Sequence, residues 1–135
     1  MVDKFNNFFT TIGTELAAKI PDKPQPEAIN RTEEVFTFPK VSREFVSKRL
    51  HELPTSKAVG MDMVPARLLK YANPAICPSL AYIMNQSVSQ GVFPSEWKRA
   101  KVIPVHKSGS PNDINNYRPI SVLPVLSKLL ERFVH

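Results

Sequence analysis

Positively charged and aromatic side chains gather in one stretch of the chain, from residue 97 to residue 118. The basic members are Lys98, Arg99, Lys101, Lys107 and Arg118, and the aromatic members are Trp97 and Tyr117. Basic side chains hold phosphates, aromatic rings stack on bases, and an arginine fork can bind one phosphate through two hydrogen bonds. The cluster therefore permits binding to a nucleic-acid backbone. The same residues also permit a solvated hairpin whose lysines protect an edge strand.

Other chemistries lack matching residues. The three histidines lie in no nucleophile elbow and have no metal-ligand spacing, and Cys77 is the only cysteine, which excludes an internal disulfide. Two-metal phosphoryl transfer needs clustered carboxylates, but the four aspartates are far apart in sequence. The four glycines are isolated and form no phosphate-binding loop. We therefore predict no catalytic residue, metal ligand or cofactor in this chain.

Charge and hydropathy narrow the class of protein. The chain has 135 residues and a formal net charge of +6. Residues 1–67 carry ten basic and nine acidic side chains, whereas residues 68–135 carry eight basic and three acidic ones. A basic second half favours a polyanionic partner such as a nucleic acid. No apolar run approaches the roughly 18 residues that cross a membrane, and no secretory signal is present. We expect no membrane partner and an intracellular location, with nucleus or cytoplasm undetermined.

The elements before the cluster are predicted to be short helices. Apolar residues at helical spacing predict an amphipathic helix over residues 3–19, and residues 21–34 form a polar, proline-rich linker. Ser42 is predicted to cap a helix that ends near residue 53. Pro65 suits the first position of another helix, and Gly91 suits the end of one that begins between residues 73 and 78.

The pattern changes to β at the cluster itself. Residues 100–106 are rich in β-branched side chains and predict a strand, residues 107–116 a turn, and residues 117–122 a return strand. A final helix begins at Pro124 and is still apolar at residue 135, which predicts a truncated domain. The fold class we expect is α+β, mostly helical, with several short helices and one β-hairpin.

Five short motifs give the chain a family resemblance. They read G-x-F-P-x-x-W-K at 91–98, P-x-x-K at 104–107, N-Y-R-P-I-S at 116–121, K-x-x-E at 128–131 and S-K-A-x-G-x-D at 56–62. In this combination the chain resembles the N-terminal reverse-transcriptase motifs of jockey-type, LINE-like non-LTR retrotransposons. The opening residues 5–9, Phe-Asn-Asn-Phe-Phe, are similar to the segment before the polymerase in such elements.

The resemblance implies a location in the enzyme and a role for the basic residues. Residues 1–40 would be a pre-polymerase helix with its proline-rich linker, and residues 41–135 the truncated fingers region of a reverse transcriptase. Lys107 and Arg118 would contact the incoming dNTP. Lys98, Arg99 and Lys101 would contact the template backbone. The catalytic aspartates of the family would fall after residue 135, so the palm is absent from this chain, and Mg²⁺, RNA template and DNA primer belong to the complete enzyme.

Each motif residue also has a plain structural interpretation. Gly60 would supply an unusual backbone angle, and Asp62 would hydrogen-bond nearby backbone N–H groups. Trp97 would lie in the core. Lys128 and Glu131, spaced i and i+3, would pair on a helix face.

Three functions remain open at this point. The chain is a polymerase fragment that is inactive alone, with a palm domain possible in a longer product, or a non-catalytic RNA- or single-stranded-DNA-binding module, or an inert remnant. The fragment would extend no primer, the module would bind with steep salt dependence, and the remnant would be molten.

Overall fold

A computed structural model describes residues 1–21 and 36–135, and these residues form helices and one antiparallel hairpin. The elements in chain order are α1 Val2–Ala17, α2 Arg43–Glu52, α3 Ala66–Ala72, α4 Cys77–Gln90, α5 Ser95–Lys98, β1 Lys101–His106, β2 Tyr117–Val122 and α6 Val125–Val134, with a 3₁₀ turn at Ile114–Asn116. The predicted α+β class, mostly helical with one hairpin, is confirmed. The predicted linker lies outside the described residues except for Pro21.

The chain divides into two compact units. The first unit comprises Met1–Phe36 and Ile103–Ile120, and therefore α1 and the distal part of the hairpin. The second unit comprises Thr37–Val102 and Ser121–His135, and contains helices α2 to α6. Among the described residues, no helix combines the length and the apolar character needed to cross a membrane.

Local capping signals define the helices of the second unit. The Ser42 hydroxyl accepts a hydrogen bond from the Phe45 N–H at 3.1 Å, which satisfies one of the donors left free at the start of α2. Gly91 ends α4 in the left-handed conformation, with φ of 64°, as predicted. The prediction for Pro65 was wrong by one residue. Its ψ of 149° is extended, so Pro65 is the cap that precedes α3.

The core of the second unit lies where α2, α3, α4 and α6 meet. Val46, Leu50 and Met84 are completely buried, and Leu129 and Leu130 of α6 nearly so. Phe45 and Phe133 pack edge to face, with ring centroids 5.4 Å apart. These residues recur at helical spacing on one face of each helix, which is why the periodicity predicted them.

Asn85 in α4 holds the segment that precedes α2 through two hydrogen bonds. The Val41 N–H donates to Asn85 Oδ1 at 2.8 Å, and Asn85 Nδ2 donates to the Val41 carbonyl at 3.0 Å. The segment around Val41 has no regular secondary structure. The Asn85 amide makes the two hydrogen bonds that a neighbouring strand would otherwise make to Val41. Both polar groups of Val41 are satisfied although the residue is buried.

The loop before α3 corrects one prediction. Gly60 does not adopt a positive φ, so the unusual backbone angle expected there is wrong. A Cβ at this position would lie 2.8 Å from both the Cα and the backbone nitrogen of Pro124. Glycine is required because two backbones approach closely, while Met63 adopts the left-handed conformation, with φ of 57°. Asp62 behaves as predicted, since its Oδ1 accepts from the Val64 N–H at 3.2 Å.

In the first unit, the aromatic face of α1 packs at the hairpin. The rings of Phe5 and Phe9 stack at 5.7 Å, and Phe5 meets Tyr117 edge to face at 4.9 Å. No residue of α1 is fully buried. The predicted stripe therefore has the packing role expected for it, on a small aromatic cluster.

Candidate nucleic-acid interface

The pairing of the two strands decides which side chains share a face of the hairpin. The Lys107 N–H donates to the Asn116 carbonyl at 2.8 Å. Strand β1 ends directly before Lys107 and β2 begins directly after Asn116, and each strand has six residues. This register places His106 opposite Tyr117, and their rings are 5.2 Å apart. It also makes the pair of Val105 and Arg118 a hydrogen-bonded one.

The same register places two prolines directly opposite each other, Pro104 in β1 and Pro119 in β2. Theirs is a non-hydrogen-bonded pair, in which backbone N–H groups point away from the partner strand. Proline has no N–H, so the ladder between the strands loses nothing. The outer edge of each strand loses one donor to which a further strand would bind.

Strand alternation separates the basic side chains from the aromatic ones. His106 and Tyr117 lie on the face that meets Phe5 of α1. Neighbouring residues point to opposite faces, so Lys107 and Arg118 share the other face as diagonal neighbours. Both are exposed. The register thus places on one face the two residues that the resemblance assigns to the dNTP.

Polar residues within the predicted turn hold the backbone that follows Lys107. Asp113 Oδ1 accepts from the Asn115 N–H at 3.0 Å and caps the 3₁₀ turn. Asn116 Nδ2 donates to the Ser110 carbonyl at 3.1 Å. The density of Asn, Asp and Ser residues predicts the turn, because such side chains bond to nearby backbone, but it does not predict which of them make these hydrogen bonds.

The tip of the turn adds two further constraints. Gly109 has a φ of 81°, which favours glycine, and a Cβ there would lie 2.6 Å from Asn116 Nδ2. The Tyr117 hydroxyl donates to the Pro111 carbonyl at 2.9 Å. The turn that follows Lys107 is therefore held by side-chain contacts from Asn116 and Tyr117.

The three basic residues at the base of the hairpin belong to the second unit. Lys98, Arg99 and Lys101 are all exposed. Arg99 pairs with Glu96 at 3.2 Å, whereas no ion pair within 4.0 Å is found for Lys98 or Lys101 among the described residues. Trp97 is half-buried against the core and meets Phe93 edge to face at 6.3 Å, which agrees with its predicted packing role.

Acidic side chains are engaged elsewhere. Glu131 Oε1 accepts from the Ser127 hydroxyl at 3.0 Å, and the pair of Lys128 and Glu131 expected from their spacing is not formed. Within residues 1–21 and 36–135, no group of three or more His, Cys, Asp or Glu side chains is placed to hold a metal ion.

Comparison with known proteins finds relatives among the polymerases of mobile elements. The chain is 38% identical over 95 residues to the RNA-directed DNA polymerase from mobile element jockey of Drosophila melanogaster, and 34% identical over 95 residues to its counterpart in Drosophila funebris. It is 37% identical over 92 residues to the "Probable RNA-directed DNA polymerase from transposon BS" of Drosophila melanogaster.

The shared part is a small piece of each relative. These alignments cover 70%, 70% and 67% of this chain, but 10% of each polymerase. No family model matches the chain. The three relatives come from different mobile elements or species and carry the same enzyme name. The chain therefore belongs to the family of RNA-directed DNA polymerases of non-LTR retrotransposons, of whose length it spans about a tenth.

Proposed function

We propose that this chain is a segment of a retrotransposon RNA-directed DNA polymerase, the fingers region, and supplies phosphate contacts rather than catalytic carboxylates. The observation that carries the proposal is the shared face of Lys107 and Arg118, two exposed cations at diagonal positions of the hairpin. A triphosphate carries several negative charges, and an arginine fork beside a lysine matches them. In the complete enzyme, Mg²⁺ would be held by carboxylates that lie outside this chain.

Lys98, Arg99 and Lys101 are proposed to contact the template backbone. All three are exposed, and Arg99 would exchange its surface ion pair with Glu96 for a phosphate, a contact that does not depend on sequence. Each phosphate contact to a single strand adds about 0.7 to the slope of log K against log salt concentration. Replacing all three residues by alanine should therefore flatten that slope by up to about 2, measured with labelled single-stranded RNA.

A matched variant controls for the loss of charge. Lys4→Ala, Lys19→Ala and Lys40→Ala together remove three positive charges outside the cluster. This control should leave the slope close to that of the parent chain. If both triple variants flatten the slope equally, binding follows net charge and the template-contact assignment fails.

A non-catalytic RNA-binding module is the second candidate, because the same basic residues would serve it. Titration with a dNTP separates the two functions. The polymerase segment predicts saturable dNTP binding that Lys107→Ala with Arg118→Ala removes, whereas a simple RNA-binding module retains RNA binding and shows no response to the dNTP. The chain alone should extend no primer, and templated incorporation would contradict the assignment.

A further inference from the structure

A small cavity lies in the second unit, where the end of α2, the loop after it, the start of α3 and one face of α6 meet. Its volume is about 130 Å³. The floor is formed by four buried apolar side chains, Leu53, Ala66, Val125 and Leu129. A cavity of roughly 150 Å³ can take up benzene, so this one has room for a single aliphatic side chain.

Three cations surround the mouth of this cavity, namely Lys57 from the loop and Lys128 and Arg132 from α6. All three are exposed. Among the described residues, ion pairs within 4.0 Å join Arg49 to Glu52 and Arg99 to Glu96, and none involves these three. Like charges at i and i+4, as in Lys128 and Arg132, destabilise a helix slightly. Their placement around one opening therefore favours an anionic occupant.

Two carboxylates lie near these cations, Glu52, which interacts electrostatically with Arg132, and Glu131, and each of them also accepts a hydrogen bond from another residue. Glu52 Oε2 accepts from Arg49 at 2.7 Å, and this hydrogen bond lowers the pKa of the Glu52 carboxyl. Glu131 accepts from Ser127. A neighbouring groove, lined by Arg49, Glu131 and His135, shares Lys128 and Arg132 with the cavity mouth and extends the basic surface along α6.

The cavity lining distinguishes a peptide from a nucleic acid. The lining contains no aromatic ring on which a base would stack, and no side-chain amide or carboxylate that would read a base edge. Phosphates alone would satisfy the cations and leave the apolar floor empty. An aliphatic side chain flanked by carboxylates satisfies both parts.

We propose that this cavity, with its rim of Lys57, Lys128 and Arg132, is a docking site for an acidic peptide segment that inserts one aliphatic side chain. The mode is that of a hydrophobic anchor held in a pocket, with charged residues at the rim setting orientation and association rate. It is separate from the phosphate contacts proposed for the hairpin.

Binding of short fluorescent peptides to the full chain tests the proposal. The probes are an acidic peptide with one central leucine and the same peptide with alanine in its place. We expect saturable binding of the leucine peptide, and at least about tenfold weaker binding of the alanine peptide, because the anchor is lost. If the leucine peptide fails to bind at millimolar concentration, the proposal is overturned.

Two variants of the chain locate the binding. Ala58 is an exposed member of the cavity lining, so Ala58→Leu fills the opening without changing charge or core packing. This variant should bind the leucine peptide about tenfold more weakly than the parent chain and should bind RNA as the parent chain does. Lys128→Ala with Arg132→Ala should weaken binding of the leucine peptide about three- to tenfold. It should not make this binding depend more steeply on salt concentration.

A matched pair, Lys40→Ala with Lys70→Ala, removes two charges of the second unit that do not line the cavity. This control should leave peptide affinity unchanged. If Ala58→Leu weakens binding of a labelled RNA and leaves binding of the peptide unchanged, the cavity binds nucleic acid and the proposal fails. If peptide affinity is insensitive to Ala58→Leu, the peptide binds elsewhere and the proposal fails as well.

Discussion

Gly60 and Pro124 form the tightest backbone contact among the glycines of the second unit. Alanine at position 60 would place its Cβ 2.8 Å from two backbone atoms, and backbone cannot yield as a flexible side chain does. We expect Gly60→Ala to lower the free energy of unfolding by about 1–3 kcal/mol, as overpacking of a dense interior does. Urea denaturation followed by circular dichroism measures it.

The matched control is Gly13→Ala in α1, where an added Cβ meets no atom within 4 Å. A helix-interior glycine costs roughly 0.5–1 kcal/mol relative to alanine, so this variant should not be destabilised. Equal unfolding curves for Gly60→Ala and the parent chain would show that the loop can move away from Pro124.

Cys77 reports on whether the core is packed. The side chain is 2% exposed, its Sγ donates to Asn73 Oδ1 at 2.9 Å, and burial raises the pKa of the thiol. A raised pKa leaves less thiolate at pH 8, and burial blocks the reagent. Reaction with a disulfide reagent should therefore be at least about tenfold slower in buffer than in urea. Equal rates would instead fit the molten, inert remnant.

At the scale of elements, the hairpin protects its own edges. Pro104 and Pro119 remove the N–H groups that would otherwise point outward at one non-hydrogen-bonded pair. Pro104→Val with Pro119→Val restores both donors on two exposed, β-prone strands. We expect this variant to self-associate with rising concentration, because an unpaired edge is a template for another strand. Sedimentation velocity measures the effect.

A control that adds apolar volume without opening an edge is Val105→Ile, since residue 105 lies at a hydrogen-bonded position. It should sediment like the parent chain. If the double valine variant also keeps the parent's sedimentation coefficient over the concentration range, edge protection rests on the surrounding charges, such as Lys101 and Lys107, rather than on the prolines.

The sequence predicted those elements whose signals are local. Ser42 and Gly91 mark helix ends because capping depends on a few adjacent residues. It also predicted the hairpin that places Lys107 near Arg118. It could not predict the role of Gly60, because the clash that forbids a side chain comes from Pro124, 64 residues later. The cavity rimmed by Lys57, Lys128 and Arg132 was missed for the same reason, since its parts meet only after packing.

At the scale of the whole molecule, the buried core and the basic hairpin tip belong to different units. Among the residues that the structure describes, every fully buried apolar side chain lies in the second unit, among residues 41–130. The first unit holds α1, which buries no residue completely, and the two cations proposed to face the dNTP. Stability and the proposed dNTP contacts are therefore separable by mutation, because Lys107 and Arg118 lie outside the unit that holds the buried core.

We expect the second unit to carry the cooperative unfolding transition. A chain that begins at residue 37 retains every buried apolar residue that the structure describes, so its urea transition should remain cooperative with a loss of less than about 1 kcal/mol. Leu50→Ala, by contrast, removes a completely buried side chain and should cost about 2–5 kcal/mol, since the cavity it leaves adds to the lost transfer free energy. If the shortened chain loses its transition while Leu50→Ala in the full chain does not, α1 rather than the helical core determines stability, and the division into units does not describe how the chain folds.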